Sequence, residues 1–442
     1  MFGFFQSMIA GGQAPSVKDY LKPPSGRFPV GFVDVEWDDV KELLEQAGDS
    51  EAERIKLVGD DLPLILVRIY YPAEESSATV PRGPWIPSSH YFPGYGYFLR
   101  MPPLISSGIA RLLASNVCLW AKENLAFCPG LSAPVPVAIF SHGLGGIRTT
   151  YSTICCDLAS RGMVVVALEH RDGSASFTLV GAGYQQQQLQ SRKPTSIRYT
   201  VGPSGLTSHN SDWTYRAAQL RRRQAELRST FNFLMRLNDK HDSIESSLIS
   251  QHPAGLLDTF KGKLDLENII TIGHSFGALT ALSFAQHQPN VVCCIAYDPW
   301  MFPLTSTGLD YSSRSTALTA LIVHNEHFTW PENDAALDKL VTLLSENHRI
   351  VKVKMLGCGH MDQSDLISIV PARIISMVRP NAILHDNPHP ILQANLDVAA
   401  VILSHALPQY NFMIDNDSVS GYNFEYKLPE KFNFIRFETI KL

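Results

Sequence analysis

The chain has 442 residues, 45% hydrophobic and 18% charged, with a formal net charge of −5 at pH 7. That is enough material for one large domain or two ordinary ones, and the charge exerts no global pull toward nucleic acid or anionic lipid. No run reaches the roughly 18–20 apolar residues of a membrane span.

The first residues, MFGFFQSMIAGGQAP, are apolar but lack the positive segment of a secretory signal. Gly3 is also not directly after the first Met, so neither cleaved secretion nor myristoylation is expected. Residues 1–60 read as an N-terminal extension packing on the core. LPLILVRIYYP (62–72) reads as a strand stopped by proline. The stretch 101–120, MPPLISSGIARLLASNVCLW, carries Leu104, Ile105, Ile109, Leu112, Leu113 and Leu119 among few charges. Its pattern fits a packed amphipathic helix and a lipid-facing one equally.

From about residue 134 strands and helices alternate. PVAIFSH (136–142), MVVVALEH (163–170), IITIG (269–273), VVCCIAYD (291–298), ALIVHNE (320–326) and IVKVKML (350–356) are largely apolar. Strands buried on both faces look like this, so the expected fold class is α/β, a mostly parallel central sheet with helices on both faces. Helical patterns fall at 150–162, at 278–286 and from Trp213 to about Leu237, where Arg221, Arg222 and Arg223 read as a solvated face. Residues 173–212, with YQQQQLQ, read as a long excursion. The stretch after about 405 has no assignable pattern. One catalytic domain over 61–400 and a tail over 401–442 are expected. Seven cysteines without C-x-x-C spacing read as reduced core residues, and no His/Cys cluster has zinc-ligand spacing. The sequon Asn416-Asp417-Ser418 matters only to a secreted chain.

Gly-His-Ser-Phe-Gly (273–277), with a β-branched strand before it and an Ala/Leu-rich stretch after, is the nucleophile elbow of α/β-hydrolases. Its tight turn thrusts the hydroxyl of Ser275 clear of the sheet, and the following helix offers N–H groups to developing negative charge. A serine needs a base, and the base an orienting acid, which in this fold follow as acid and then histidine. Asp298 ends the next strand; Glu332, Asp334 and Asp338 lie in a polar loop or helix instead. His360 follows the last strand and a Gly-Cys-Gly turn, with His324 and His327 as runners-up. FSHGLGG (140–146) supplies Leu144 as a second oxyanion donor beside Phe276.

These segments, with IAYDPWMFPL, PSGRFPVGFVDV, IYYPAEES and WIPSSHYF, resemble the platelet-activating factor acetylhydrolases, in particular the plasma and type II intracellular forms, the group VII phospholipases A2. The likeness covers roughly residues 24–385. It implies an α/β-hydrolase fold with the triad Ser275, Asp298 and His360, and oxyanion donors Leu144 and Phe276. It places Trp300 and Phe302 along an acyl pocket. It implies calcium-independent removal of sn-2 acetyl or short or oxidised acyl groups from phospholipids, with no cofactor and no metal. The family's helix near 101–120 touches the membrane surface, so this stretch is the candidate for peripheral contact. The type II form is the closer analogue for location, so a cytoplasmic, peripherally membrane-associated enzyme without nucleic-acid partners is expected. Two departures stand out: Ala278 follows the elbow where the family has a second glycine, and His360 sits in GCGHMDQSD. The same triad serves equally in a transacetylase or a generic short-chain carboxylesterase. A catalytically silent lipid-binding module would lack one of the three residues. A dinucleotide site fails because HGLGG does not match G-x-G-x-x-G.

Overall fold

The computed structural model describes residues 21–38, 64–75, 80–181, 195–202, 210–242, 244, 248–304, 308–312, 314–371, 388–410, 412 and 435–441. Its strands are β1 (Val30–Trp37), β2 (Ile65–Pro72), β3 (Arg82–Pro84), β4 (Cys118–Glu123), β5 (Val135–Ser141), β6 (Val164–Leu168), β7 (Phe177–Val180), β8 (Thr195–Arg198), β9 (Leu264–His274), β10 (Val291–Tyr297), β11 (Thr319–Asn325), β12 (Arg349–Met355) and β13 (Ile435–Lys441). Eleven form one sheet in the order β13-β12-β11-β10-β9-β5-β6-β2-β1-β4-β3. From β6 across to β12 every neighbouring pair is parallel, while β2 runs antiparallel to both β6 and β1.

The helices are α1 (Gly94–Phe98), α2 (Pro103–Ala114), α3 (Ser152–Ser160), α4 (Asn210–Asn238), α5 (Phe276–His287), α6 (Pro331–Asn347), α7 (Leu366–Ile369) and α8 (His389–Ala406). Alternation along β10 explains the layering. Cys293, Ile295 and Tyr297 enter the core shared with α3 and α8, whereas Cys294 and Ala296 enter the core shared with α4, α5 and α6. The apolar runs are apolar throughout because both faces of the sheet are covered.

Several elements differ from expectation. Residues 30–37, read as part of an extension, pair with β2 along their whole length inside the main sheet. Residues 435–441, read as tail, form the far edge strand against β12. The stretch 101–120 is helical only to Ala114 before β4 begins at Cys118, and Leu119 is fully buried. The excursion 173–212 contains the hairpin β7–β8, and its residues 182–194 and 203–209 lie outside the described residues, as does the sequon. Arg223 overturns the reading of 221–223 as a solvated face. It is 0% exposed, because its neighbours Asp172, Ser174 and the His142 carbonyl satisfy the guanidinium inside the fold. All seven cysteines are free, five of them buried. Among the described residues no helix is long and apolar enough to cross a membrane.

Candidate active site

Ser275 occupies the one-residue turn between β9 and α5, with φ 59° and ψ −121°, a conformation that a side-chain-bearing residue rarely adopts. Both flanking glycines are required by close approach. A Cβ on Gly273 would stand 2.1 Å from the Gly277 carbonyl oxygen, and one on Gly277 would stand 2.0 Å from that of Ser141. Strand and helix therefore meet backbone to backbone. The turn is locked through the Ser275 N–H, which donates to Tyr297 O at 2.9 Å, and through its carbonyl, which accepts from Ala278, Leu279 and Trp300. No side chain caps α5, so its N-terminal N–H groups remain open to another acceptor.

Asp298, at the end of β10, is fully buried with φ 46°. Its Oδ1 accepts the Asn325 N–H at 2.6 Å and its Oδ2 accepts Asn325 Nδ2 at 2.7 Å, while His360 Nδ1 lies 3.1 Å from Oδ2. Burial pushes the carboxyl up to about 6, against the pull of His274 and the Asn325 hydrogen bonds. The His360 ring is stacked on Phe328, with centroids 3.7 Å apart and planes 8° apart, which fixes its orientation. The runners-up point elsewhere: His324 Nε2 faces Asp334 at 3.7 Å, and His327 faces Glu326 at 3.9 Å. Ligating atoms of His274, Asp298 and His360 lie within 4.8 Å of one another. Both Asp298 oxygens are taken by Asn325 donors, however, and His274 Nδ1 bonds the Tyr151 hydroxyl at 2.7 Å, so the cluster has the chemistry of a hydrogen-bonded relay.

A line of amides backs this pair. Asn395 of α8 donates to Gln363, Gln363 donates to Asn325, and Asn325 donates to Asp298 and to the Gly359 carbonyl beside His360. Nothing in local sequence pattern marks these residues; only Asn325, the asparagine of the HNEH run, stands at a strand end.

Almost every polar group of the loop 142–146 has a partner. Arg223 donates to the His142 carbonyl at 2.7 Å, and the Gly143 N–H donates to the Tyr151 hydroxyl at 3.3 Å. The Gly143 carbonyl lies 2.7 Å from His142 Nδ1 and also accepts the Gly146 N–H. The Gly145 N–H donates to Ser174 O. Among the described residues the Leu144 N–H donates to no protein acceptor. In a trans peptide C=O and N–H point in opposite directions, so holding the Gly143 carbonyl sets the Leu144 N–H. His142 Nε2 accepts the His170 N–H at 3.1 Å, which leaves the ring's proton on Nδ1 and makes His142 a donor to Gly143. Burial holds His142 well below the usual histidine range. Arg223 also lies 4.2 Å from the Phe276 ring, tying the loop to the start of α5.

A second serine–histidine–acid line lies beneath the loop. Ser141 Oγ is 2.7 Å from His170 Nε2, and His170 Nδ1 is 2.6 Å from Glu226. Ser141 is 0% exposed, so this line braces the loop and has no access to a substrate carbonyl. Trp300 packs edge-on against Phe276, and Phe302 stacks on Trp300. Phe302 lines an open cavity of about 800 Å³ with Trp330 and Lys339, while Trp300 is not among its lining residues.

A family model described as platelet-activating factor acetylhydrolase, isoform II, matches residues 16–399. The platelet-activating factor acetylhydrolase of Gallus gallus is 28% identical over 310 residues, covering 70% of each chain. That of Canis lupus familiaris is 31% identical over 301 residues, covering 68% of this chain and 62% of the dog protein's length. A putative phospholipase A2 of Schizosaccharomyces pombe is 28% identical over 414 residues, covering 82% of this chain and 87% of that one. In fold the chain is similar to a ferulic acid esterase from Streptomyces cinnamoneus, with a TM-score of 0.60 at 17% identity over 95% of this chain and 99% of the other. The sheet order, the turn at Ser275 and these likenesses together define an α/β-hydrolase fold, and the chain belongs to the platelet-activating factor acetylhydrolase family.

Proposed function

We propose that the protein is a calcium-independent serine esterase that hydrolyses the sn-2 acetyl or short or oxidised acyl ester of platelet-activating factor and related phospholipids. Ser275 Oγ attacks the sn-2 carbonyl while His360 takes its proton, and Asp298 holds the imidazole tautomer and stabilises the imidazolium. Negative charge on the carbonyl oxygen is met by the N–H groups of Leu144 and Phe276. The C–O bond breaks as His360 returns the proton to the leaving glyceryl oxygen. Water, deprotonated by the same imidazole, then releases the acid and restores Ser275.

The observation that carries this reading is Ser275 held at positive φ on a turn whose only tolerated neighbours are glycines, beside an aspartate–histidine pair and a loop with an unused amide. Strain of about 1–3 kcal/mol at a buried turn is kept where a side chain must be presented. Trp300 and Phe302 serve as walls beside the acyl group, supported by the packing of Trp300 on Phe276. Peripheral contact with a lipid surface belongs to 99–112. Of the six exposed large apolar side chains among the described residues, Leu99, Leu104, Ile105 and Leu112 lie there, and Leu104 is 87% exposed.

Release of acetate from platelet-activating factor in the presence of a calcium chelator tests the proposal, with Ser275→Ala and a long-chain phosphatidylcholine alongside. Serine-dependent turnover of the short-acyl lipid alone is expected. Ordinary turnover by Ser275→Ala would sink the mechanism. Transfer of acetyl to added lysolipid in place of free acetate would move the activity to the transacylase reading.

A further inference from the structure

An apolar cavity of about 180 Å³ lies between the α1–α2 pair and the segment that follows His360. One wall is formed by Phe98, Ile109 and Leu113, and the facing wall by Met361, Leu366 and Ile369. Both walls lead back to the site. Phe98 presses on the loop 142–146 so closely that a Cβ on Gly145 would stand 2.6 Å from its ring, and Met361 directly follows His360. The cavity is rigidly framed. Trp85, also in its lining, stacks on Tyr95 and donates to Asp365, and Asp365 accepts from Ser152 and Thr153 at the start of α3.

We propose that this cavity seats a stretch of the long hydrocarbon chain of the lipid that is retained after hydrolysis, about six carbons of the sn-1 chain at about 30 Å³ each, and so makes that chain part of substrate recognition. The inference rests on the ester-hydrolase reading above. Its lining offers almost nothing to a polar ligand: Ser106 has its hydroxyl bonded to Pro103 O, and Trp85 has its N–H on Asp365. A head group placed there would lose its water without replacement. Water in the cavity would likewise find few partners, so hydrocarbon displaces it readily. An acetyl group is too small an occupant, because the space holds about six water-sized groups at about 30 Å³ each. The route for a chain is visible in α2 itself: Ile109 and Leu113 face the cavity, while Leu104, Ile105 and Leu112 of the same helix are exposed. A chain leaving a lipid layer against the outer face needs to pass only the thickness of one helix.

Each methylene moved from water into the cavity contributes roughly four-fold to binding. The test compares 1-hexadecyl-2-acetyl and 1-butyl-2-acetyl glycerophosphocholine, both monomeric, with p-nitrophenyl acetate. Ala110 also lines the cavity, so Ala110→Trp fills it and Leu113→Ala opens it. The filled variant is expected to lose at least about ten-fold in kcat/KM on the hexadecyl substrate. It should stay within about two-fold on p-nitrophenyl acetate, which carries no such chain, and lose less on the butyl substrate, whose short chain fills only part of the cavity. Leu113→Ala should lose several-fold on the hexadecyl substrate, again without loss on p-nitrophenyl acetate. Unchanged hexadecyl turnover in both variants, or equal loss on all three substrates, overturns the proposal. Should the wild type hydrolyse none of them, the function reading fails, and the cavity is then judged by binding. Submicellar hexadecyl lysophosphocholine, followed by titration calorimetry, should bind the wild type at least ten-fold more tightly than Ala110→Trp, and equal affinity overturns the cavity proposal.

Discussion

Replacing Ser275 by glycine removes the side chain that makes its positive-φ backbone costly, whereas Ser275→Ala removes the hydroxyl and keeps the Cβ. Both variants should be inactive, so their difference isolates the backbone term. At φ 59° and ψ −121° a residue with a Cβ carries strain of about 1–3 kcal/mol, which glycine relieves. Against that gain, glycine costs about 0.4–1 kcal/mol through the freer unfolded chain. Loss of one buried methyl costs up to about 0.8 kcal/mol more. With strain, Ser275→Gly should therefore match or exceed Ser275→Ala in stability, by about 0.5 kcal/mol at the middle of these ranges. Without strain it should be less stable by about 1.5 kcal/mol. Equilibrium urea unfolding of the two variants side by side, with equal slopes required, resolves a gap of this size. Ser275→Gly less stable than Ser275→Ala by 1.5 kcal/mol or more, taking that about-1.5 figure as the unstrained limit, would refute the strained-elbow argument.

Asp298 must be ionised to hold His360, and burial raises its carboxyl to about 6, so activity should fall as pH drops through about 6. Its effect on stability has the opposite sign. The folded state holds this proton more tightly than the unfolded chain, so the group's stabilising contribution is present below about pH 4 and lost as pH rises through about 6. Asp298→Asn should lower kcat by about 10⁴-fold and flatten that acid limb, which a pH–rate profile reads directly. His142→Ala leaves the Gly143 carbonyl held only by the Gly146 N–H and so loosens the aim of the Leu144 N–H. It should reduce kcat by about 100-fold while KM moves little, with partial recovery in His142→Asn, and a fall confined to KM would contradict the assignment. Changing Leu104, Ile105 and Leu112 together to serine should weaken vesicle partition at least about ten-fold and leave p-nitrophenyl acetate turnover intact; cosedimentation with phosphatidylcholine vesicles measures it.

Amino-acid order alone determined the elements that depend on local chemistry. Apolar runs such as VVCCIAY and ALIVHN are strands buried on both faces because their composition admits no solvent face, and Gly273 and Gly277 announce a turn in which a Cβ would meet backbone. The expectation of an acid and then a histidine after Ser275, Asp298 and His360, follows from chain order in this fold, and the folded chain places His360 Nδ1 3.1 Å from Asp298. What local pattern could not supply was anything built from residues distant in the chain. Asn395, Gln363 and Asn325 become one line behind Asp298 only when α8 packs under the sheet, and His142 acquires its tautomer from a backbone N–H donated by His170. Arg223 looked solvated because helical spacing reports a face but not its neighbours, and its guanidinium is buried between Asp172 and the His142 carbonyl. Strands β1 and β13 were hidden for the same reason. Each is chosen by its partner across the hydrogen-bond ladder, β2 for β1 and β12 for the edge strand β13, and only the folded chain brings that partner alongside.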